Sequence, residues 1–159
     1  MIETVPVCEE DQPFLFQLFG TTRSDEIALW GFDQTMADQF LRMQWEAQTH
    51  SYRLQFPAMN QWIILANKEK IGRILVNRTS QELHLVDISL LPAYCNKGIG
   101  TGLLLGLQRE ALQQKKTLSL SVLVSNPAKR LYDRLGFSVV SVDEVYVRMQ
   151  WRREELGGK

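Results

Sequence analysis

Between Leu90 and Gln108 the chain reads LLPAYCNKGIGTGLLLGLQ, and this stretch constrains the fold more than any other. An apolar run ends at Pro92, and a leucine-rich helical pattern opens beyond Gly98 and Gly100. A strand therefore turns into a helix through a glycine-rich corner. Without Cβ atoms at Gly98 and Gly100, backbone N–H groups can approach a ligand closely. The first N–H groups of a helix lack internal partners and carry partial positive charge, so a pyrophosphate is a natural guest.

These glycines admit three readings. Gly98, Gly102 and Gly106 recur every fourth residue, which leaves one helix face bare for close packing on a sheet. A nucleotide-binding enzyme is the second reading. It fails on detail: no Gly-Lys-Ser/Thr occurs, Leu103 fills the third glycine position of the dinucleotide pattern, and the next strand ends in Val124-Ser125-Asn126 without an acidic residue. The third reading needs more of the chain.

The N-terminal third reads as helical. Phe14, Leu15, Leu18 and Phe19 fall at helix spacing with Gly20 as a stop, and a second helix places Met36, Phe40, Met43 and Ala47 on one face, with Asp38, Arg42 and Gln48 elsewhere. From Trp62 the pattern changes to WIILA, IGRILVN and LHLVDISLL, short apolar runs divided by NKEK and RTSQE, a meander of three strands. After the glycine-rich helix come a strand TLSLSVLV, a short helix NPAKRLYDRL stopped by Gly136, and two closing strands, FSVV and VYVRMQW. Helices, three strands, helix, strand, helix and strands in 159 residues predict one α/β (α+β) domain with a mixed sheet.

Charge narrows the function. Eighteen Lys+Arg against 18 Asp+Glu argue against a nucleic-acid partner or an anionic membrane surface. No apolar run approaches the roughly 20 residues that span a bilayer, and the acidic start MIETVPVCEEDQPF lacks the marks of a signal peptide. Cys8 and Cys95 are far apart, so neither a disulfide framework nor a metal site is expected, and a cytoplasmic setting fits. The tail WRREELGGK is expected to fray.

Tyr94 through Leu104, YCNKGIGTGLL, resembles the pyrophosphate loop of the GNAT superfamily of N-acetyltransferases, whose pattern is Gln/Arg-x-x-Gly-x-Gly/Ala. Gly98 and Gly100 fit, and Cys95 stands where Gln or Arg is usual. A second block, SNPAKRLYDRLGF from Ser125 to Phe137, looks like the family's other motif, and the two occur in family order. The resemblance covers about Trp62 to Trp151. It implies a GNAT-like, mostly antiparallel sheet with a central splayed parallel strand pair, flanked by helices. Residues 1–60 would form a helical acceptor side and 61–151 the acetyl-CoA-binding core, within one domain over 1–159.

The resemblance further implies acetyl-CoA as co-substrate, with no metal, and transfer of acetyl to a primary amine by direct attack through a tetrahedral intermediate. The amine would belong to a small molecule or to a protein or peptide. Backbone groups of the strand segment Ile88, Ser89 and Leu90 would pair with the pantetheine arm. Amides of Asn96, Lys97, Gly98, Ile99, Gly100 and Thr101 would hold the pyrophosphate. Ser125 and Asn126 both match positions near the thioester, and their spacing to Tyr132 does not choose between them. A homodimer is compatible with the family, though no segment marks an interface. A non-catalytic acyl-CoA-binding sensor would need the same loop.

The chemistry needs a proton acceptor for the amine and a donor for the departing thiolate. Tyr132 matches the family tyrosine that protonates the thiolate; a packed structural tyrosine is the other reading. For the base, His84 and Asp87 both qualify. Alternation sets Glu82, His84, Val86, Ile88 and Leu90 on one strand face and Asp87 and Ser89 on the other. An imidazole titrates near neutrality. Asp87 interrupts an apolar run, so its carboxylate must find a partner and could equally brace the fold. Cys95 lies at the pyrophosphate end with no neighbouring His, which speaks against a nucleophile. Lys129, Arg130 and Arg134 read as a solvated face, and Trp30, Trp45, Tyr52 and Trp62 read mostly as core, with one or two lining an acceptor pocket.

Overall fold

The computed structural model describes residues 1–152. Along the chain lie β1 (Ile2–Pro6), α1 (Gln12–Thr22), α2 (Ser24–Trp30), α3 (Gln34–Gln55), β2 (Asn60–Ala66), β3 (Glu69–Arg78), β4 (Glu82–Leu90), α4 (Ile99–Gln114), β5 (Thr117–Leu123), α5 (Lys129–Arg134), β6 (Ser138–Val142) and β7 (Tyr146–Trp151). The sheet order is β1-β2-β3-β4-β5-β7-β6, mostly antiparallel, with β4 and β5 parallel. The expected meander, glycine-led helix, short helix and closing strands are all present. The sequence tail beyond Arg152 lies outside the described residues. Two compact units divide the chain: Met1–Leu75 with Asp87–Cys95, and Val76–Val86 with Asn96 onward.

The first unit buries Leu15, Leu18 and Phe19 of α1 and Ile63, Ile64, Ile71, Ile74 and Leu75 of β2 and β3. Each fully buried side chain of this size contributes about 1.5–3 kcal/mol of transfer free energy. Asn67 and Lys68 (φ 51° and 71°) make the tight turn between β2 and β3, both in the left-handed region that two-residue hairpins require. At Gly72 a Cβ would run into the carbonyl oxygen of Ser89, so only glycine allows β3 this close to β4.

Three expectations for this unit need correction. β1 is a strand in a region read as helical. Its residues are all exposed, so no buried face announces it; it forms because β2 offers a free edge, in register from Ile2↔Ala66 to Pro6↔Trp62. Gly20 does not stop α1, which runs on to Thr22, with the hydroxyls of Thr21 and Thr22 donating to the carbonyls of Leu18 and Phe19 at 2.7 Å. A Cβ at Gly20 would lie 3.7 Å from Leu41 of α3, an ordinary contact. Finally, the inward face of α3 is turned by about one residue from the expected one. Met36 and Met43 are 50% and 60% exposed, Ala37 is buried, and Leu41, Gln44, Trp45 and Gln48 are half-buried. Trp45 draws the helix round by packing on Phe16 and Phe19 of α1, at 6.4 and 5.3 Å between ring centroids.

In the second unit, Leu104, Leu107 and Ala111 of α4 are buried, as are Leu118, Leu120 and Val122 of β5 and Val147 and Met149 of β7. The buried Gln108 donates from Nε2 to the carbonyl of Leu135 at 2.9 Å. Gly136 (φ 93°) ends the turn after α5 in a conformation that L side chains rarely adopt. The parallel register runs from Glu82↔Thr117 to Leu85↔Leu120 and ends there, short of the ends of both strands.

Candidate active site

The cradle at the start of α4 belongs to the second unit. Asn96 and Gly98 are left-handed (φ 60° and 81°), and α4 starts at Ile99. Its first helical bond runs from the amide of Gly102 to the carbonyl of Gly98 at 3.0 Å. The amides of Ile99, Gly100 and Thr101 precede that bond and are the helix's intrinsically unpartnered donors. Among the described residues, apart from chain neighbours and the helix's own backbone, no heavy atom lies within 4 Å of where a Cβ would stand at Gly98, Gly100 or Gly102, and at Gly106 the nearest is Arg109 NH2, at 3.8 Å. Close packing on a sheet therefore does not explain these glycines; they leave open space above free amides. Asn96 and Lys97 are exposed. An anionic pyrophosphate fits such a cradle.

Past β5, Ser125 and Asn126 are exposed. Asn126 Oδ1 accepts from the amide of Ala128 at 2.9 Å and so shapes the turn into α5. Tyr132 is buried, its ring edge-on to Phe137 at 5.7 Å. Lys129 of the basic cluster pairs with Asp133 at 3.0 Å.

His84 sits opposite Ser119 in the parallel register, and its Nδ1 lies 2.8 Å from the Ser119 hydroxyl oxygen. Both residues are buried. Burial pushes the His84 imidazole below its ordinary value; Glu82 raises it somewhat and Arg148 lowers it further. The ring is therefore held neutral.

The rest lies in the first unit. Ile88, Ser89 and Leu90 are half-buried at the end of β4. Cys95 is exposed, with its thiol 3.7 and 3.6 Å from the carbonyl oxygens of Leu90 and Leu91. Asp87 has found the partner that its apolar surroundings demand: Arg73 Nε donates to its Oδ2 at 2.9 Å, and Ser89 Oγ donates to the same oxygen at 2.9 Å. Arg73 is buried, donates through NH2 to Gln48 Oε1 at 2.9 Å, and lies over the Trp45 ring at 5.4 Å. Gln48 was expected away from the inner face of α3; the buried guanidinium calls it in. Sequence reasoning missed Arg73, although the signal was present: a charge inside IGRILVN needs a partner as much as one inside LVDISLL. Of the four aromatic residues, Trp30 is 48% exposed and stacks edge-on to Phe40, so it is not core. Trp45 lines an open cleft with Gln12, Pro13, Phe16, Arg42 and Glu46. Among the described residues no cluster of His, Cys, Asp and Glu could hold a metal ion.

Residues 24–157 match the model of the acetyltransferase (GNAT) domain, and the chain belongs to that family. It is 35% identical over 85 residues to the ribosomal protein bS18-alanine N-acetyltransferase of Haemophilus influenzae, a match over 52% of this chain and 58% of that relative. The chain thus aligns with little more than half the length of that enzyme. Among solved structures, the PaiA N-acetyltransferase of Thermoplasma acidophilum in complex with coenzyme A shares the fold, with a TM-score of 0.71 and 20% identity over 96% of this chain and 99% of that one. The Campylobacter jejuni N-acetyltransferase PseH in complex with acetyl coenzyme A has a TM-score of 0.60 at 18% identity, over 96% and 99%.

Proposed function

We propose that this chain transfers the acetyl group of acetyl-CoA to a primary amine of a small molecule, protein or peptide. The observation that carries this is the empty space above the free amides at the start of α4, which a Cβ at Gly98, Gly100 or Gly102 would only begin to fill. Family membership supports it, as do the N-acetyltransferases named above.

In this reading the amides of Asn96, Lys97, Gly98, Ile99, Gly100 and Thr101 hold the pyrophosphate, and backbone groups of Ile88, Ser89 and Leu90 hold the pantetheine arm. Ser125 and Asn126 stand near its reactive end. When bound, acetyl-CoA supplies an activated acetyl thioester. Asp87 is favoured over His84 as the group that receives the amine, because among the described residues Asp87 Oδ1 accepts no hydrogen bond and the side chain is 24% exposed, whereas His84 is buried. A neutral imidazole can still accept a proton, which keeps His84 in the scheme as the second base. Tyr132 donates a proton to the departing thiolate; a phenol with a reference pKa of about 10 stays protonated at neutral pH. A cytoplasmic location and a homodimer belong to the same reading. Among the described residues no helix is long and apolar enough to cross a membrane.

A thiol-release screen with acetyl-CoA across polyamines, amino acids, aminoglycosides and peptides with free N-termini tests the activity. Acetyl-dependent release with at least one amine is expected. Binding of acetyl-CoA without release on any amine would leave an acyl-CoA sensor instead.

A further inference from the structure

We propose that Arg73 is a positioning residue for the acceptor: through Asp87 it holds one carboxylate oxygen as the docking point for an aliphatic primary ammonium group. The proposal rests on the amine-acceptor reading above and adds the group that orients the amine.

Three arginine–carboxylate pairs occur among the described residues; Arg148 reaches Glu82 only at 3.3 Å near the surface, and the two closer pairs can be compared. Arg78 grips Glu110 with both arms, Nε to Oε2 at 2.8 Å and NH2 to Oε1 at 3.0 Å, so both oxygens are engaged. That two-armed grip is the arrangement expected of a pair that serves to brace. Arg73 behaves otherwise. Its Nε goes to Asp87 Oδ2, but its NH2 turns to Gln48 Oε1 on α3, and the Trp45 ring covers the guanidinium face. Ser89 adds a second donor to the oxygen already engaged. Among the described residues Oδ1 accepts no hydrogen bond, while the Asp87 side chain is 24% exposed and therefore reachable.

The cost of burying a guanidinium, whose side chain is only 9% exposed, would normally be offset with every donor the neighbouring carboxylate can satisfy. Here the arginine is fastened from two sides and the carboxylate from one. The plane of the Asp87 carboxyl group is thereby fixed, and its outer oxygen is an acceptor with no donor of its own. An alkylammonium, with three N–H donors and a positive charge, meets that requirement; an anionic ligand does not.

The test uses the full chain saturated with coenzyme A and measures dissociation constants for n-butylamine and alanylglycylglycine, with N-acetylalanylglycylglycine as the control. Wild type should bind the two free amines and not the acetylated peptide. Arg73→Gln should weaken amine binding about tenfold or more, leave the thermal shift given by coenzyme A unchanged, and recover part of the affinity as Arg73→Lys. The double variant Arg73→Gln/Asp87→Asn should bind amine no worse than Asp87→Asn alone, since Arg73 acts through Asp87. Additive losses, or wild-type amine affinity in Arg73→Gln, would overturn the proposal. Should Arg73→Gln not fold, Gln48→Leu keeps the guanidinium and removes its second anchor; a several-fold loss of amine affinity supports the proposal, and none defeats it. If wild type binds coenzyme A but neither amine, the amine-acceptor reading fails and the proposal with it.

Discussion

His84 and Ser119 face each other across the parallel pair of β4 and β5, 2.8 Å from Nδ1 to Oγ, and neither is open to solvent. The imidazole is kept neutral by its burial, which ties the stability of this pair to pH. The folded value lies below the unfolded one of about 6.5, so the unfolded chain takes up its proton first as pH falls. Stability is complete above about pH 6.5 and declines below it until the folded value is passed. His84→Gln should flatten that decline and cost about 1 kcal/mol at neutral pH for the bond to Ser119. Urea unfolding at about pH 8 and about pH 5 gives the comparison. The same acid-side slope in both proteins would free His84 of this role.

Gly72→Ala sets a Cβ against the backbone carbonyl of Ser89, which has no rotamer to move away. We expect a loss on the order of 1–3 kcal/mol, read from the urea midpoint. A wild-type midpoint would mean that β3 and β4 separate here at little cost.

Gly100→Glu is the cleanest probe of the cradle. A Cβ at Gly100 meets nothing within 4 Å and its φ is not left-handed, whereas Gly98 (φ 81°) would be strained by any side chain. The variant should therefore keep its fold but place a carboxylate beside the helix N-terminus. Wild type should gain roughly 2.7 kcal/mol at about 100 times the Kd of acetyl-CoA; Gly100→Glu should gain nothing. An undiminished thermal shift would move the pyrophosphate elsewhere.

Tyr132→Phe preserves the ring contact with Phe137 and removes only the hydroxyl. A fall in kcat with the acetyl-CoA shift intact is expected, of about 100- to 10,000-fold if the phenol is the proton donor. Unchanged turnover would assign Tyr132 to packing.

Local chemistry made much of the molecule legible in the sequence. The meander, the turn at Asn67 and Lys68, the glycine corner at Gly98 and the stop at Gly136 all follow from residues that suit one backbone conformation at one place. The glycines before α4 made the free amides of the helix start legible, but not the room above them. Asp87 was legible as a carboxylate in need of a partner, and no more than that.

What the sequence could not determine depends on surfaces that distant segments offer to each other. β1 has no buried face and is a strand only because β2 presents an open edge. The register of α3 follows Trp45 against α1 and Gln48 against Arg73, not its own methionines. The bare face of α4 looked equally suited to packing or to a ligand, and only the tertiary structure shows that it opens on space. Arg73 and Asp87 are 14 residues apart and were each readable as a buried charge. That one arm of the arginine would turn to α3, leaving Asp87 Oδ1 unspent, was decided by tertiary structure alone, since hydrogen-bond geometry exists only once both partners are in place.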